Sequence, residues 1–213
     1  MILFMWRIPS LTGFRYWLVS LLLLPIAVPG VASREYVDRV NGVLFRYPAT
    51  WRLNHRTPTY LPPLILLQDG EEGKVDADVW FEPTGTLRHT VLGGVEFLYR
   101  VLPSSSQEAC YSDRTVEMPA ESKREWVTLQ GRRFLRRKVE AAGLCHEMFG
   151  DVYVSYESNR CFLFETERYE TCAQVVAGLR DLQPAERNAI RAQLQAIVNS
   201  IRITSAPKGK TAQ

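Results

Sequence analysis

The segment GDVYVSYESNRCFLFETE, residues 150–167, constrains the fold of this chain more than any other. Val152, Val154 and Tyr156 alternate with polar residues before the polar sequence ESN, and Phe162 and Phe164 alternate after it. Apolar residues at every second position on both sides of a short polar turn predict a β-hairpin. Because a tight turn joins antiparallel strands, the segment predicts a sheet that is mainly antiparallel.

A second strand region is the aromatic segment NGVLFRYPATWRLNH, residues 41–55. The pair Asn41–Gly42 predicts a tight turn after a preceding strand. Apolar residues then alternate up to Pro48, which ends a strand because proline lacks the N–H that a ladder needs. Trp51 follows three residues later, and we expect it to be buried. The residues that we interpret as a structural anchor, rather than a binding site, are Phe45, Tyr47, Pro48 and Trp51.

Further segments extend the sheet and add helices. Residues 74–82 alternate as a strand does, and residues 125–141 predict two strands that meet at Gln130–Gly131. Apolar spacings of three and four predict an amphipathic helix over residues 86–102 and a short helix over residues 171–182. A final helix is predicted to begin at Pro184. Together these elements indicate an α+β fold, with a central, mainly antiparallel β-sheet flanked by helices.

The first 33 residues differ in composition from the rest of the chain. Arg7 and Arg15 are their only charges, and an apolar run over residues 16–28 precedes PGVAS, which has small residues at the spacing of a cleavage site. This combination predicts a secretory signal peptide over residues 1–33. The run is shorter than the roughly 20 apolar residues of a membrane-spanning helix. The alternative is an uncleaved membrane anchor over residues 16–32.

Residues 34–205 are predicted to form one domain, followed by a flexible tail over residues 206–213. Removal of residues 1–33 leaves 24 of the 26 Lys+Arg against 23 Asp+Glu, so the domain is close to neutral. A near-neutral domain has no overall field that would steer it to nucleic acid. We therefore expect no nucleic-acid partner.

The cysteines predict disulfides rather than a metal site. An even number of cysteines in a chain that we expect to be exported predicts one or two disulfides, and four cysteines allow three complete pairings. A link between Cys161 and Cys172 would close a short loop, but spacing alone does not choose a pairing. The spacings of 35, 16 and 11 residues contain no close pair of the kind that zinc sites use. The disulfide candidates are Cys110, Cys145, Cys161 and Cys172.

The sequence offers no motif for catalysis or metal binding. His55, His89 and His146 stand outside any recognisable motif, and neighbours such as Cys145 and His146 point to opposite faces of a strand. The acidic residues between positions 69 and 78 lack the spacing of a calcium loop and are interpreted as a solvated turn and a polar strand face. We expect no catalytic residue, no cofactor and no metal, which favours a non-enzyme over an enzyme.

The densest run of charge lies in residues 132–138. On a strand, Arg132, Arg136 and Lys138 share one face while Arg133 and Arg137 share the other. Basic residues on an exposed edge strand discourage pairing between sheets, which is the structural interpretation. The functional alternative is a patch for anionic lipid headgroups, lipopolysaccharide or an acidic partner. The residues of that patch are Arg132, Arg133, Arg136, Arg137 and Lys138.

Three segments together resemble the PsbP-like superfamily, and specifically its bacterial exported branch. They are VLFRYPATWRL (residues 43–53), VDADVWFEPTGTLRHTV (residues 75–91) and LQAIVNSIRIT (residues 194–204). The first is similar to the superfamily's aromatic strand that ends in Tyr-Pro and is followed by Trp, here Tyr47, Pro48 and Trp51. The resemblance implies an α/β/α sandwich around an antiparallel sheet. It also implies a role in binding proteins or retaining metal ions rather than in catalysis.

These observations lead to one expected function and one alternative. We expect a non-enzymatic accessory or binding protein of the bacterial cell envelope, exported to the periplasm or secreted, that contacts a protein or another envelope component. Contact with the membrane is expected only through the N-terminal segment, if that segment stays uncleaved. The alternative is a secreted hydrolase-type enzyme whose active site is assembled from residues distant in sequence, such as the histidines.

Overall fold

Two antiparallel sheets account for most of the secondary structure in the computed structural model, which describes residues 32–55, 75–112, 123–143, 145–173 and 177–204. Within these residues, two α-helices and one short 3-10 helix, Gly85–His89, accompany them. The helices are α1 (Gln107–Tyr111) and α2 (Pro184–Asn199). The strands are β1 (Ser33–Asp38), β2 (Val43–Pro48), β3 (Arg52–Asn54), β4 (Ala77–Phe81), β5 (Leu92–Pro103), β6 (Arg124–Leu129), β7 (Arg132–Gly143), β8 (His146–Glu157), β9 (Arg160–Thr171) and β10 (Arg202–Ile203).

The larger sheet has seven strands in the order β3-β4-β5-β9-β8-β7-β6, and the smaller has three in the order β1-β2-β10. Every pairing within both sheets is antiparallel. The predicted hairpin is strands β8 and β9, which meet at a turn where Ser158 and Asn159 have positive φ angles. The fold is thus a β-rich α+β fold, which confirms the predicted α+β class and its mainly antiparallel sheet.

Strand alternation gives the seven-stranded sheet two faces, which we call the front face and the back face. The front face carries Phe97 of β5 and Phe164 of β9, and the back face carries their neighbours Leu98 and Glu165. Because successive side chains point to opposite faces, these four positions define the two faces of the whole sheet. All four side chains are at most 2% exposed, so both faces are buried at the centre of the sheet.

The front face is covered by helix α2 and by the three-stranded sheet. Phe45 of β2 lies edge-on to Phe97 of β5, with the ring centroids 4.9 Å apart. Helix α2 begins with a capping box in which Gln183 and Glu186 satisfy each other's backbone N–H groups, and Pro184 occupies its first turn. The predicted final helix is thus confirmed. Its buried stripe consists of Ile190, Leu194, Ile197 and Val198.

The back face has a different composition. Helix α1 contributes Cys110 to an aliphatic cluster on this face. Beside the cluster lie charged side chains that are at most 3% exposed, an unusual position because charged groups are costly to bury unless they are paired. These buried charged residues are Asp78, Glu96, Arg137, Glu165 and Glu167.

The helix predicted over residues 86–102 is wrong. The structure has a short 3-10 helix followed by the twelve-residue strand β5. Both faces of β5 are buried, so the apolar residues of two faces together produce spacings of three and four that imitate a helix. Gly93 is required by close approach within the sheet, because a Cβ atom there would overlap with the ring of Tyr169.

Two other expectations need correction. Strand β7 is not an edge strand, because β6 lies beyond it, so edge protection does not explain its basic residues. The short helix predicted over residues 171–182 is not seen at 171–173 or 177–182. Thr171 ends strand β9, and the chain then forms turns and a bridge from Arg180 to Thr90. Residues 1–31, 56–74, 113–122, 144, 174–176 and 205–213 lie outside the described residues. The predicted signal peptide or anchor and the predicted C-terminal tail fall almost entirely on them.

Candidate functional site

A cleft of about 330 Å³ lies between helix α2 and strands β7, β8 and β9. The cleft lies at the border of the apolar front face. Its floor is apolar, with Phe149, Tyr153 and Leu194 among the lining residues. Its walls are mainly basic, with two carboxylates, Glu140 and Asp151. We call this cleft the basic groove after its four cationic lining residues, Arg136, Lys138, Arg168 and Arg191.

The cations of the basic groove come from three elements. Arg136 and Lys138 lie two residues apart on β7 and therefore share the front face. Arg168 lies on β9, where the same alternation places it on the face of Phe164. Arg191 lies on α2, one turn after Arg187, so the helix presents both arginines on the same side. Pairing in the sheet and docking of α2 bring these side chains together.

Arg136 is already neutralised by its neighbours. Its guanidinium donates Nε to Oδ1 of Asp151 and Nη2 to Oδ2, both at 3.0 Å, and donates Nη1 to Glu125 at 2.6 Å. The hydrogen bonds to Asp151 are the main reason that the pKa of Arg136 is raised above its ordinary value. This bidentate geometry is the strongest form of the arginine–carboxylate pair. Arg136 therefore fixes the shape of the groove wall and contributes no surplus charge.

Arg168 lies in a crowded cationic environment. Its Nε atom is 2.6 Å from Oε1 of Glu170, and its guanidinium lies 4.8 Å from the ring centre of Phe149. The same Glu170 also accepts a hydrogen bond of 3.4 Å from Arg187. Burial, together with repulsion from Arg187 and Arg191, lowers the pKa of Arg168 below its ordinary value, although Glu170 acts in the opposite direction. The Glu170 carboxylate is thus shared by the guanidinium groups of Arg168 and Arg187, and the guanidinium of Arg191 is close enough to repel that of Arg168.

Lys138 and Arg191 carry the surplus charge of the groove. Both side chains are exposed, and neither forms an ion pair with any residue in the described part of the chain. One is presented by the sheet and the other by helix α2. The lining as a whole has four cations and two carboxylates, so the groove has room and charge for an anion.

The basic patch predicted from residues 132–138 is divided among four different surroundings. Arg132 pairs with Glu157 at 2.5 Å, and Arg133 lies over the ring of Trp126 at 4.6 Å. Arg137 is 1% exposed on the back face, where its Nη2 donates to the carbonyl oxygen of Tyr111 at 2.6 Å. The remaining two members of the patch, Arg136 and Lys138, line the basic groove.

Sequence reasoning missed Arg168 and Arg191, which complete the groove. Arg168 is one charge among several on β9, and nothing in its local sequence distinguishes it. For Arg191 a pattern was present, because Arg187 and Arg191 flank the apolar stripe of the predicted final helix at a spacing of four residues.

The aromatic segment is placed in the core. Phe45 is fully buried, Tyr47 is 5% exposed, and Trp51 stacks on Phe81 at 5.9 Å with only 2% of its surface exposed. Pro48 is the last residue of strand β2 and is half-buried. The burial expected for Trp51 is confirmed, and the side chains of Phe45, Tyr47 and Trp51 are inaccessible to a ligand.

The histidines of the enzymatic alternative have separate surroundings. The Nδ1 atom of His55 lies 3.3 Å from the carbonyl oxygen of Asp76, His89 ends the 3-10 helix, and His146 contacts the hydroxyl of Tyr169. Within the described residues, no contact joins two histidines, and no group of three or more His, Cys, Asp or Glu side chains could hold a metal ion. The structure thus assembles no nucleophile with a histidine base from these residues.

The cysteines fall into two pairs. Cys110 of α1 and Cys161 of β9 form a disulfide whose Cα atoms are 5.5 Å apart, and both are buried. The pairing of Cys161 with Cys172 is therefore wrong, because Cys161 faces α1 on the back face. Cys145 and Cys172 are free thiols and are partly exposed.

No helix among the described residues is both long and apolar enough to cross a bilayer.

No protein-family model matches the sequence, and no curated protein matches it. Three solved structures follow a similar course over most of the chain, each with 10% sequence identity. The cyanobacterial PsbP (CyanoP) of Synechocystis sp. PCC 6803 has a TM-score of 0.43 and covers 84% of this chain and 96% of its own. LpqN, involved in cell envelope biogenesis of Mycobacterium tuberculosis, has a TM-score of 0.42 and covers 84% and 88%. The Ran-binding protein Mog1p of Saccharomyces cerevisiae has a TM-score of 0.41 and covers 82% and 96%.

All three have the PsbP-like fold. At this identity the likeness describes the course of the chain and not its ligands.

Proposed function

We propose that this protein is a non-enzymatic binding protein of the bacterial cell envelope, and that it holds an acidic, partly apolar ligand in the basic groove. The observation that carries the proposal is the pair Lys138 and Arg191, which have no ion-pair partner within the described residues and are presented above an apolar floor by a strand and a helix. The envelope component that it contacts is thus an amphiphile with an anionic head.

The charges in the groove favour such a ligand. An anion placed between Lys138 and Arg191 would also reduce the repulsion that Arg168 experiences from Arg187 and Arg191. Charge-assisted hydrogen bonds to carboxylate or phosphate oxygens are about twice as strong as neutral ones. The volume of about 330 Å³ lies at the lower end of the range for small-molecule sites, which suits a headgroup and the first part of a chain.

The proposed location in the envelope is supported by two features. The N-terminal 33 residues have the pattern of a signal peptide, and the domain contains the buried disulfide Cys110–Cys161. Disulfides persist in oxidising compartments and are rare in the cytosol. The proposal includes a single domain over residues 34–205 with the α/β/α layering of the PsbP-like superfamily, followed by a flexible tail.

Titration calorimetry with dodecyl phosphate, below the concentration at which it forms micelles, tests the proposal. We expect dodecyl phosphate to bind more tightly than inorganic phosphate, which lacks the apolar part, and more tightly than dodecyl maltoside, which lacks the charge. The double variant Lys138→Gln/Arg191→Gln should bind dodecyl phosphate at least about tenfold more weakly, because each hydrogen bond to a charged group is worth about 1.5–3 kcal/mol.

A matched double variant, Arg34→Gln/Arg39→Gln, removes two exposed charges far from the groove in sequence. It should bind dodecyl phosphate as the wild type does. An equal loss in both double variants would show a general attraction of charge and would contradict a site in the groove. Unchanged affinity in the groove variant would contradict it as well.

A further inference from the structure

The free cysteines Cys145 and Cys172 lie opposite each other at the end of the β8–β9 hairpin. The last residue pair of that ladder is His146 with Thr171. One step further along, the backbone N–H of Cys172 donates to the carbonyl oxygen of Cys145 at 3.1 Å. The ladder thus continues by one pair beyond the ends of the strands, and that pair consists of two cysteines.

Opposed positions in an antiparallel ladder are suited to a disulfide. Residues that face each other in a hydrogen-bonded antiparallel pair have Cα atoms about 5.5 Å apart, within the range of about 4.4–6.8 Å for disulfides. The thiol of Cys145 also acts on that of Cys172, since a hydrogen bond with Cys145 is the main cause that raises the pKa of Cys172 above its ordinary value of 9.0. No other thiol competes, because Cys110 and Cys161 are buried and bonded to each other.

We propose that Cys145 and Cys172 are a dithiol site that closes to a second disulfide by exchange with an external disulfide. In the first step, the thiolate of one cysteine attacks a sulfur of the external disulfide and releases one thiol, leaving a mixed disulfide. In the second step, the other cysteine attacks the protein sulfur of that mixed disulfide and releases the second thiol. The protein loses two electrons and two protons, and the external disulfide is reduced to two thiols.

The two disulfides would then differ in lability. Cys110–Cys161 is enclosed between α1 and β9, whereas Cys145 and Cys172 are partly exposed and open to exchange. The second link would join the outer ends of β8 and β9. Both strands line the basic groove, with Phe149 four residues from Cys145 and Arg168 four residues from Cys172. Because the pKa of Cys172 is raised, little of its thiolate is present at neutral pH, so closure should become faster as the pH rises.

Oxidised glutathione is a suitable probe, used on the full chain at about pH 8 with thiols counted before and after treatment. We expect the two free thiols to fall to none, without stable glutathione adducts. Trypsin cleaves after Lys138, Arg160, Arg168 and Arg180, so every cysteine of the chain is in a different peptide. Non-reducing mass spectrometry should find the peptide of Cys145 linked to that of Cys172, with Cys110–Cys161 unchanged.

Single variants distinguish formation of the second disulfide from simple reaction of two exposed thiols with glutathione. Cys145→Ser and Cys172→Ser should each stop at the first step and carry one stable glutathione, because the second attacking thiol is absent. Two results on the wild type would overturn the proposal. One is stable glutathione on both cysteines. The other is two thiols that stay free under conditions in which the single variants are modified.

Discussion

The front and back faces of the seven-stranded sheet are both buried, but they are filled by different chemistry. The front face is aromatic, with Phe97 and Phe164 stacked at 6.2 Å beneath α2 and the small sheet. The back face combines an aliphatic cluster, a disulfide and buried charges such as Glu165 and Arg137. Burial alone therefore does not require apolar side chains. The front face gains stability from packing, whereas the back face depends on satisfying each polar group that it encloses.

The largest effect is expected on the front face, for Phe97→Ala. Phe97 is fully buried between Phe45 and Phe164, so the change should lower the free energy of unfolding by about 3–5 kcal/mol through lost apolar contact and a cavity. Urea denaturation measures the loss. The control Val37→Ala, at a side chain that is 49% exposed, should cost no more than about 0.5 kcal/mol. Equal effects in the two variants would mean that the front face is not the core.

A smaller effect is expected on the back face, for Arg137→Met. The change keeps much of the apolar stem but removes the hydrogen bond to Tyr111 and a cation that lies on the same face as four carboxylates. We expect a loss of about 1.5–3 kcal/mol, the range for a hydrogen bond to a charged group. Arg133→Met is the matched control, because it lies on the same strand and face but stacks in the open on Trp126. A back face that behaved as a purely apolar layer would instead be stabilised by Arg137→Met.

The smallest effect concerns the polar boundary of the front face, at Asp38. This carboxylate accepts the hydroxyl of Tyr99 at 3.1 Å and the backbone N–H groups of Val40 and Asn41. Burial opposes its ionisation, but these hydrogen bonds outweigh burial and hold the pKa of Asp38 below its ordinary value of 3.8. Its ionised form therefore stabilises the fold at pH values above 3.8, and that contribution is lost as the pH falls through the lower folded-state pKa.

Asp38→Asn should accordingly cost about 1 kcal/mol near neutral pH, a value reduced for exposure to solvent. The difference from the wild type should shrink once the pH falls below 3.8. Urea denaturation at a series of pH values checks this, with Asp181→Asn at an exposed side chain as the control. A difference that stays constant down to about pH 2 would show that Asp38 acts through its shape and not its charge.

The contrast between the faces also explains how much of the fold could be predicted from the sequence. The β8–β9 hairpin and helix α2 were predictable because their patterns are local: alternation around a polar turn, and a proline followed by an apolar stripe. Strand β5 was not, because Phe97 and Leu98 are buried on opposite faces and the period of two disappears. In a strand that is buried on one face only, apolar and polar residues alternate, and the period of two remains visible in the sequence.

The candidate site was predictable only in part. Arg136 and Lys138 belong to a dense run that any reading of the charges finds. Arg168 and Arg191 lie beside them only because β9 is two strands from β7 and α2 packs on the same face. These are tertiary contacts, which a local sequence pattern does not show. The cysteine pairing has the same origin, since α1 brings Cys110 to Cys161 from 51 residues away in sequence.

The three-stranded sheet is completed by strand β10, which pairs with β2 at Val43 and Leu44. Hydrogen bonds from Arg46 to Ser200 and from Thr204 to Gly42 span 154 and 162 residues of sequence. Closing so long a loop is entropically costly, and contacts of this kind slow folding. The three-stranded sheet therefore cannot be complete until strand β10, near the end of the domain, is available to pair with the open edge of β2. Its stability depends on both ends of the domain being present together.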